Sequence, residues 1–160
     1  MATATNLPAA QTTGNVLTAA YMNDLRGAFR VLQFKYIDTT TQVTSASATY
    51  VDLGLEISIT PQSTSNKIFL LATTAMRASG GAMDIQTRFL RAGSSIFFGV
   101  QGFFQSGDGT TPSMMYLDSP NTTSATIYKV QGSRNFGSGT ALFQANGSVT
   151  SSFIVAEISA

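Results

Sequence analysis

The sequence predicts an antiparallel β-sandwich or jelly roll, and three observations carry that prediction. Leu55, Ile57 and Ile59 alternate with Glu56, Ser58 and Thr60, the period of two that a half-buried strand requires. Turn signals recur about every eight to twelve residues and divide the chain into about eight to ten strands. Charged residues make up only 11% of the chain against 43% hydrophobic. Roughly a quarter of the residues are Ser or Thr. Helical surfaces are normally filled with Glu, Lys and Arg, so an uncharged polar surface fits strands better. At 160 residues the chain is long enough to bury a core. It divides into an extended arm with one short helix over residues 1–30 and a sandwich head over 31–160.

Residues 1–16 are mostly Ala, Thr, Gln, Asn and Gly, too poor in apolar groups to fold alone, and read as an arm that orders on a partner. Thr18 is placed to cap a helix, with Leu17 and Met22 forming a hydrophobic staple across its first turn. From Ala19 to Phe29 the pairs Tyr21–Leu25 and Leu25–Phe29 stand four apart and share a face. About three turns of helix are marginal in isolation, so this face must lie on the sandwich or on copies of itself.

The head opens with Val31–Asp38, where Leu32, Phe34 and Tyr36 share one face and Gln33 and Lys35 the other. Thr39–Ala48 reads as a short strand and a turn. Pro61 removes a backbone donor after the alternating strand, and Gln-Ser-Thr-Ser-Asn supplies a loop. Ile68–Ala75 follows, apolar on both faces at Ile68, Phe69, Leu70 and Leu71, which predicts a strand covered on both sides. After Ser79-Gly-Gly, Ile85, Thr87 and Phe89 alternate with Gln86 and Arg88, and a turn at Gly93 leads into Ile96-Phe97-Phe98. Gly99–Pro112 and Gly132–Thr140 have no clean period and read as long loops, the usual seat of binding functions. Ser113–Asp118 and Thr126–Val130 are strands, and Asn146-Gly147 predicts a type I′ hairpin between Ala141–Ala145 and Val149–Ile158.

The chemistry the chain can hold is limited. It contains no Cys and no His, so disulfides, thiolates, imidazole bases and the commonest transition-metal ligands are absent. A net charge of +1, with no basic run, gives no field to attract nucleic acid. No segment has the length of a membrane span, and the N-terminus lacks the pattern of a secretory signal, so a soluble, cytoplasmically made product is expected. The carboxylates Asp24, Asp38, Asp52, Glu56, Asp84, Asp108, Asp118 and Glu157 show no catalytic pairing, and Asp52, Asp108 and Asp118 sit beside turns, where Asp caps its own backbone. Lys35, Lys67 and Lys129 have no motif partner that would activate a Ser or Thr. Gly107-Asp-Gly and Gly137-Ser-Gly lack the Lys and helix of a phosphate loop. The expectation is a protein that is not an enzyme and carries no cofactor or metal. Low charge also gives weak repulsion between molecules, which favours a surface covered by partners.

Three segments carry a resemblance. Tyr50-Val-Asp-Leu-Gly-Leu-Glu-Ile-Ser-Ile-Thr-Pro-Gln-Ser-Thr-Ser-Asn-Lys-Ile68 and Tyr116-Leu-Asp-Ser-Pro-Asn-Thr-Thr-Ser-Ala-Thr-Ile-Tyr-Lys-Val-Gln131 resemble a β-domain of tail-fibre and other virion proteins of tailed bacteriophages. Gly14-Asn-Val-Leu-Thr-Ala-Ala-Tyr-Met-Asn23 is similar to a phrase near the N-termini of phage structural proteins. The resemblance implies a jelly-roll-like, homotrimeric domain on a virus particle, in contact with other virion proteins. It leaves two roles open: a small tail fibre or knob that touches a host receptor, and a head-decoration protein that cements the capsid. In either, Leu7, Val16, Leu17, Tyr21, Met22, Leu25 and Phe29 are the candidate anchoring residues. Phe103, Phe104, Asp108, Arg134, Asn135 and Phe136, in the two glycine-rich stretches, are the candidate receptor-facing residues.

Overall fold

The computed structural model describes residues 31–159, so the arm, the short helix and the candidate anchoring residues lie outside the described residues. The described chain forms twelve strands and one 3₁₀ turn. They are β1 (Val31–Thr39), β2 (Val43–Ser45), β3 (Val51–Ile59), β4 (Lys67–Thr73), β5 (Met76–Ser79) and β6 (Met83–Arg91). These are followed by β7 (Ser94–Phe104), β8 (Gly109–Thr110), β9 (Ser113–Asp118), β10 (Thr126–Gly137), β11 (Thr140–Phe143) and, after the 3₁₀ turn at Ala145–Gly147, β12 (Ser151–Ile158). Every pairing is antiparallel.

Two four-stranded sheets, β1-β12-β4-β9 and β3-β10-β6-β7, form the layers of a β-sandwich. A third, β2-β11-β5-β8, is built from strands that follow β1, β10, β4 and β7 in the chain and closes one end. Alternation drives the two layers together. Leu53, Leu55, Ile57 and Ile59 of β3, Ile85 and Phe89 of β6, and Tyr128 and Val130 of β10 point inward from one sheet. Ile68, Leu70 and Ala72 of β4 and Phe153 and Val155 of β12 meet them from the other. Met76, Ala78, Ala141 and Phe143 of the end sheet join the same cluster. Phe89 stacks on Phe153 at 5.5 Å between ring centroids and on Phe97 at 6.0 Å, and Phe97 stacks on Tyr116 at 5.0 Å. Four rings thus run as one column between the layers.

In the 50–74 region β3 buries the alternating side that its sequence predicts and is an edge strand of one sheet, while β4 is an inner strand of the other. Glu157 ties the loop between them to β12. It is fully buried, and its Oε1 accepts from the Gln62 backbone at 2.7 Å and from Asn66 Nδ2 at 2.6 Å, while Oε2 accepts from Gln33 Nε2 at 2.6 Å. The β6–β7 hairpin turns on Ala92 and Gly93, both left-handed at φ 47° and 84°, the backbone that a two-residue turn between twisted strands needs.

Four expectations are corrected. Gly99–Pro112 is not one loop: β7 continues to Phe104, and only 105–108 separates it from β8. Gly132–Thr140 is likewise strand as far as Gly137, because Gly132 pairs with both β3 and β6 and the residues beyond it, Ser133 to Gly137, stay paired with β6. Glycine content hid a period that the pairing enforces. Asn146-Gly147 makes no hairpin, since β11 pairs with β2 and β5 whereas β12 pairs with β1 and β4; the chain changes sheets there. Finally, no described element covers the outer face of β4, so Phe69 and Leu71 are only half-buried. The strands exceed the expected eight to ten because four chain segments break into a layer strand and a short end-sheet strand.

Gly132 tests how tightly the end sheet closes the core. A Cβ there would stand 2.4 Å from Cζ of Phe143, a fully buried ring without room to turn away. Gly132→Ala is expected to lower unfolding free energy by about 1–3 kcal/mol, read from the urea midpoint. An unchanged midpoint would show that the ring can yield.

Candidate functional site

The sandwich presents two outer faces of opposite character. On β1-β12-β4-β9 the outward residues form cross-strand rows. Tyr36, Ile154, Leu71 and Met115 make one row, and Phe34, Ala156, Phe69 and Leu117 the next. Phe34 is 62% exposed, Tyr36 54%, Met115 63% and Leu117 55%. The apolar side of β1 therefore looks outward, while Gln33 and Lys35 turn toward the β3 side and bond the Thr60 and Ser58 carbonyls at 2.7 and 2.6 Å. Charge appears on this face only at opposite ends, at Asp38 and Lys67. Tyr36 donates to Asp38 Oδ2 at 3.1 Å, and that bond to a carboxylate raises its phenol pKa above the ordinary value.

The outer face of β3-β10-β6-β7 is polar and aromatic. Tyr50 donates to Gln86 Oε1 at 2.8 Å, and the Arg88 guanidinium lies 3.9 Å over its ring. Arg88 Nε and Nη2 reach Gln131 Oε1 at 2.9 and 2.6 Å, and Gln131 Nε2 reaches Asp52 Oδ1 at 2.6 Å. Lys129 completes the chain of contacts at 2.6 Å from Glu56 and 3.3 Å from Asp52, and hydrogen bonds to these two carboxylates raise its pKa. Such exposed ion pairs add little stability. Their effect is to fix the orientation of the aromatic and amide groups. Phe98 stands beside Tyr50, with ring centroids 6.4 Å apart.

The structure brings together some of the predicted receptor-facing residues and separates others. Phe103 on β7 and Phe136 on β10 both pair with Asp84 on β6, so the three share one face. The rings are 63% and 72% exposed. Asn135 occupies the bulge beside Phe136 and donates to Asp84 Oδ2 at 3.0 Å. Phe104 points the other way and packs against the core opposite Met83. Asp108 caps its own turn, accepting from the Gln105 backbone at 2.9 Å. Arg134 donates to the Gly139 carbonyl at 2.9 Å and holds the β10–β11 connection. The residues that sequence reasoning missed at this face are Tyr50, Gln86, Arg88, Gln101 and Asp84. The alternation of Gln86 and Arg88, extended back by one step, would have placed Asp84 with them.

Asp118, expected to cap a turn, is instead buried and paired. Arg91 Nη1 lies 2.9 Å from Oδ1, and the Tyr128 hydroxyl donates to Oδ2 at 2.7 Å. Asp52 departs from that expectation too, pairing across strands with Lys129 and Gln131. At the end sheet a cleft of about 270 Å³ lies between β5, β8 and the 3₁₀ turn, lined by Met76, Arg77, Thr110 and Val149 among others. Among the described residues no group of three or more carboxylates is arranged to hold a metal ion.

No family model matches this chain, and no curated protein matches it in sequence. Solved structures similar to it include the capsid chain of the T13 particle of infectious bursal disease virus, at 11% identity and TM-score 0.45, covering 79% of this chain and 35% of that one. The VP2 subviral particle of the same virus gives 11% identity and TM-score 0.43, covering 81% and 38%. A pilus protein of Bacillus endospore appendages gives 11% and 0.38, covering 78% and 90%. The chain thus spans little more than a third of the virus chains it matches. Likeness of this degree assigns neither family nor function.

Burial, then the hydrogen bond to Asp118, drives the Tyr128 phenol far above its ordinary pKa of 10.0. The folded state therefore keeps a proton that the unfolded chain loses above pH 10. The stability it contributes is present below that pH and is lost above it. Stability is expected to fall by about 1.4 kcal/mol per pH unit above pH 10 on this account. Tyr128→Phe should remove that part of the slope, measured by urea unfolding between pH 9 and pH 11, at a cost of about 1–2 kcal/mol at pH 7.

Proposed function

We propose that this chain is a structural protein of a bacteriophage virion, a small trimeric tail-fibre or knob protein. Residues 1–30 attach it to other virion proteins, and the polar, aromatic face around Phe103, Asn135 and Phe136 is turned to the host surface. The reading involves no catalysis, no nucleic acid and no membrane insertion. The observation that carries the assembly part is the apolar outer face of β1-β12-β4-β9. Its four large, half-exposed side chains leave on the order of 450 Å² of mostly apolar surface in water, taking aromatic side chains at about 150–250 Å² each. That matches the largest apolar patch of a typical soluble monomer, a size that is often functional, and is more than half of the about 800 Å² that one partner contributes to a standard interface. Phe69, Leu71 and Ile154, on the inner strands β4 and β12, add to it between the exposed residues of β1 and β9. The placement on a phage particle rests on the resemblance of residues 14–23, 50–68 and 116–131 to phage virion proteins.

Light scattering on the purified chain is expected to give three times the monomer mass at micromolar concentration. Met115→Lys with Leu117→Lys places two charges on β9, the edge strand of the apolar face, and should yield monomers with an unchanged urea midpoint. A wild-type monomer would overturn the trimer. A trimer that survives the double substitution would move the contact elsewhere. Removal of residues 1–16 is expected to leave the trimer intact and to abolish its incorporation into particles, measured by protein content of purified virions.

A further inference from the structure

Among the described residues three carboxylates are buried, and two of them are fully occupied. Asp118 has Arg91 and the Tyr128 hydroxyl on its two oxygens, and Glu157 has three N–H donors shared over both of its own. Asp84 is different. It is buried, but Oδ2 alone takes both of its bonds, from Gln101 Nε2 at 2.8 Å and Asn135 Nδ2 at 3.0 Å. Oδ1 has no hydrogen-bond partner and the carboxylate no cation among the described residues. Oδ1 is nevertheless not sealed in, because the buried polar atoms left without a partner are Thr74 Oγ1 and Ser133 Oγ. An acid this buried is normally paired.

The surroundings specify what would pair with it. Phe103 and Phe136 are its two cross-strand neighbours, one on each side, and their rings stand out into solvent. Neighbouring strands lie about 4.5–5.5 Å apart at Cα, so the two phenyl positions are separated by about 10 Å with the carboxylate midway. A cation resting on Asp84 Oδ1 would then lie between the two cross-strand phenylalanines, where a cation–π contact, with its reach of about 6 Å, can add to the ion pair. A neutral donor could bond the carboxylate but would not neutralise its charge or gain the cation–π contact, and an anion would be repelled. The two amides bonded to Oδ2 hold the carboxylate in place, so binding needs no rearrangement of the acid.

We infer that Asp84, flanked by Phe103 and Phe136, is a binding site for a cationic side-chain head, the ammonium or guanidinium of a lysine or arginine on a protein partner. The site stands on the face opposite the proposed trimer contact, and its test is independent of oligomeric state.

The probe is n-butylammonium chloride, a lysine side chain without its backbone, titrated into the ¹⁵N-labelled full chain at constant ionic strength, with n-butanol as the neutral control. The expected result is saturable amide shifts confined to the neighbourhood of 84, 103 and 136, absent with n-butanol. Asp84→Asn keeps the shape and removes the charge, and it should weaken binding at least about tenfold. Phe136→Leu keeps apolar bulk at an exposed position, where folding is not at stake, and should weaken binding about threefold by removing the ring quadrupole. Unsaturable or scattered shifts, equal response to n-butanol, or wild-type affinity in both variants would overturn the inference.

Discussion

The column of rings Phe153, Phe89, Phe97 and Tyr116 is the contact on which the rest of the structure depends. Two of its members come from each sheet, so it defines the inside of the sandwich for both layers at once. With Phe89 and Phe97 inward, the period of two turns Arg88 and Phe98 outward on one face. With Phe153 and Tyr116 inward, Ile154, Met115 and Leu117 are turned outward on the other. A shift of one residue would bring Arg88 or Ser152 into the core in place of Phe89 or Phe153, and would turn Phe97 or Tyr116 outward in exchange for an apolar neighbour. The character of both outer faces follows from that one choice of register.

The consequence is a division of labour between the faces. The β1-β12-β4-β9 sheet turns apolar rows outward, a surface whose free energy is lowest when it is covered. The β3-β10-β6-β7 sheet holds Tyr50 in a lattice of amides, one guanidinium, one ammonium and two carboxylates that is satisfied in water. The buried carboxylates mark where these demands meet the interior. Glu157 and Asp118 each spend their acceptor capacity on fixing a loop or a strand end, and Asp84 keeps an oxygen open toward solvent.

Much of this was legible in the sequence. Leu55, Ile57 and Ile59 announce β3, Pro61 announces its end, and Phe153 and Val155 announce the inner face of β12. Phe103, Asn135 and Phe136 were identified as surface residues, and they converge, although not on a loop. The place of Asp84 beside them is not legible in the sequence, because a carboxylate's meaning depends on what lies across the sheet. Phe104 was grouped with Phe103, although adjacent residues of a strand face opposite ways. Asn146-Gly147 carried the strongest hairpin signal in the chain and made none. A dipeptide specifies a turn, but which strands pair after it is decided by contacts with β2, β5, β1 and β4.

The sequence by itself determined the class of the fold and the inward side of most strands, because alternation is a local property of the chain and each strand carries its own record of it. It also set the absence of imidazole and thiol chemistry, which is a matter of composition. Only the tertiary structure decided that the apolar side of β1 faces outward beside Ile154, Leu71 and Met115. It alone placed Phe103 and Phe136 on either side of one buried acid. The reason is physical: β1 and β12, and β6 and β10, pair across tens of residues of chain, and nothing in a period of two states which partner a strand will have.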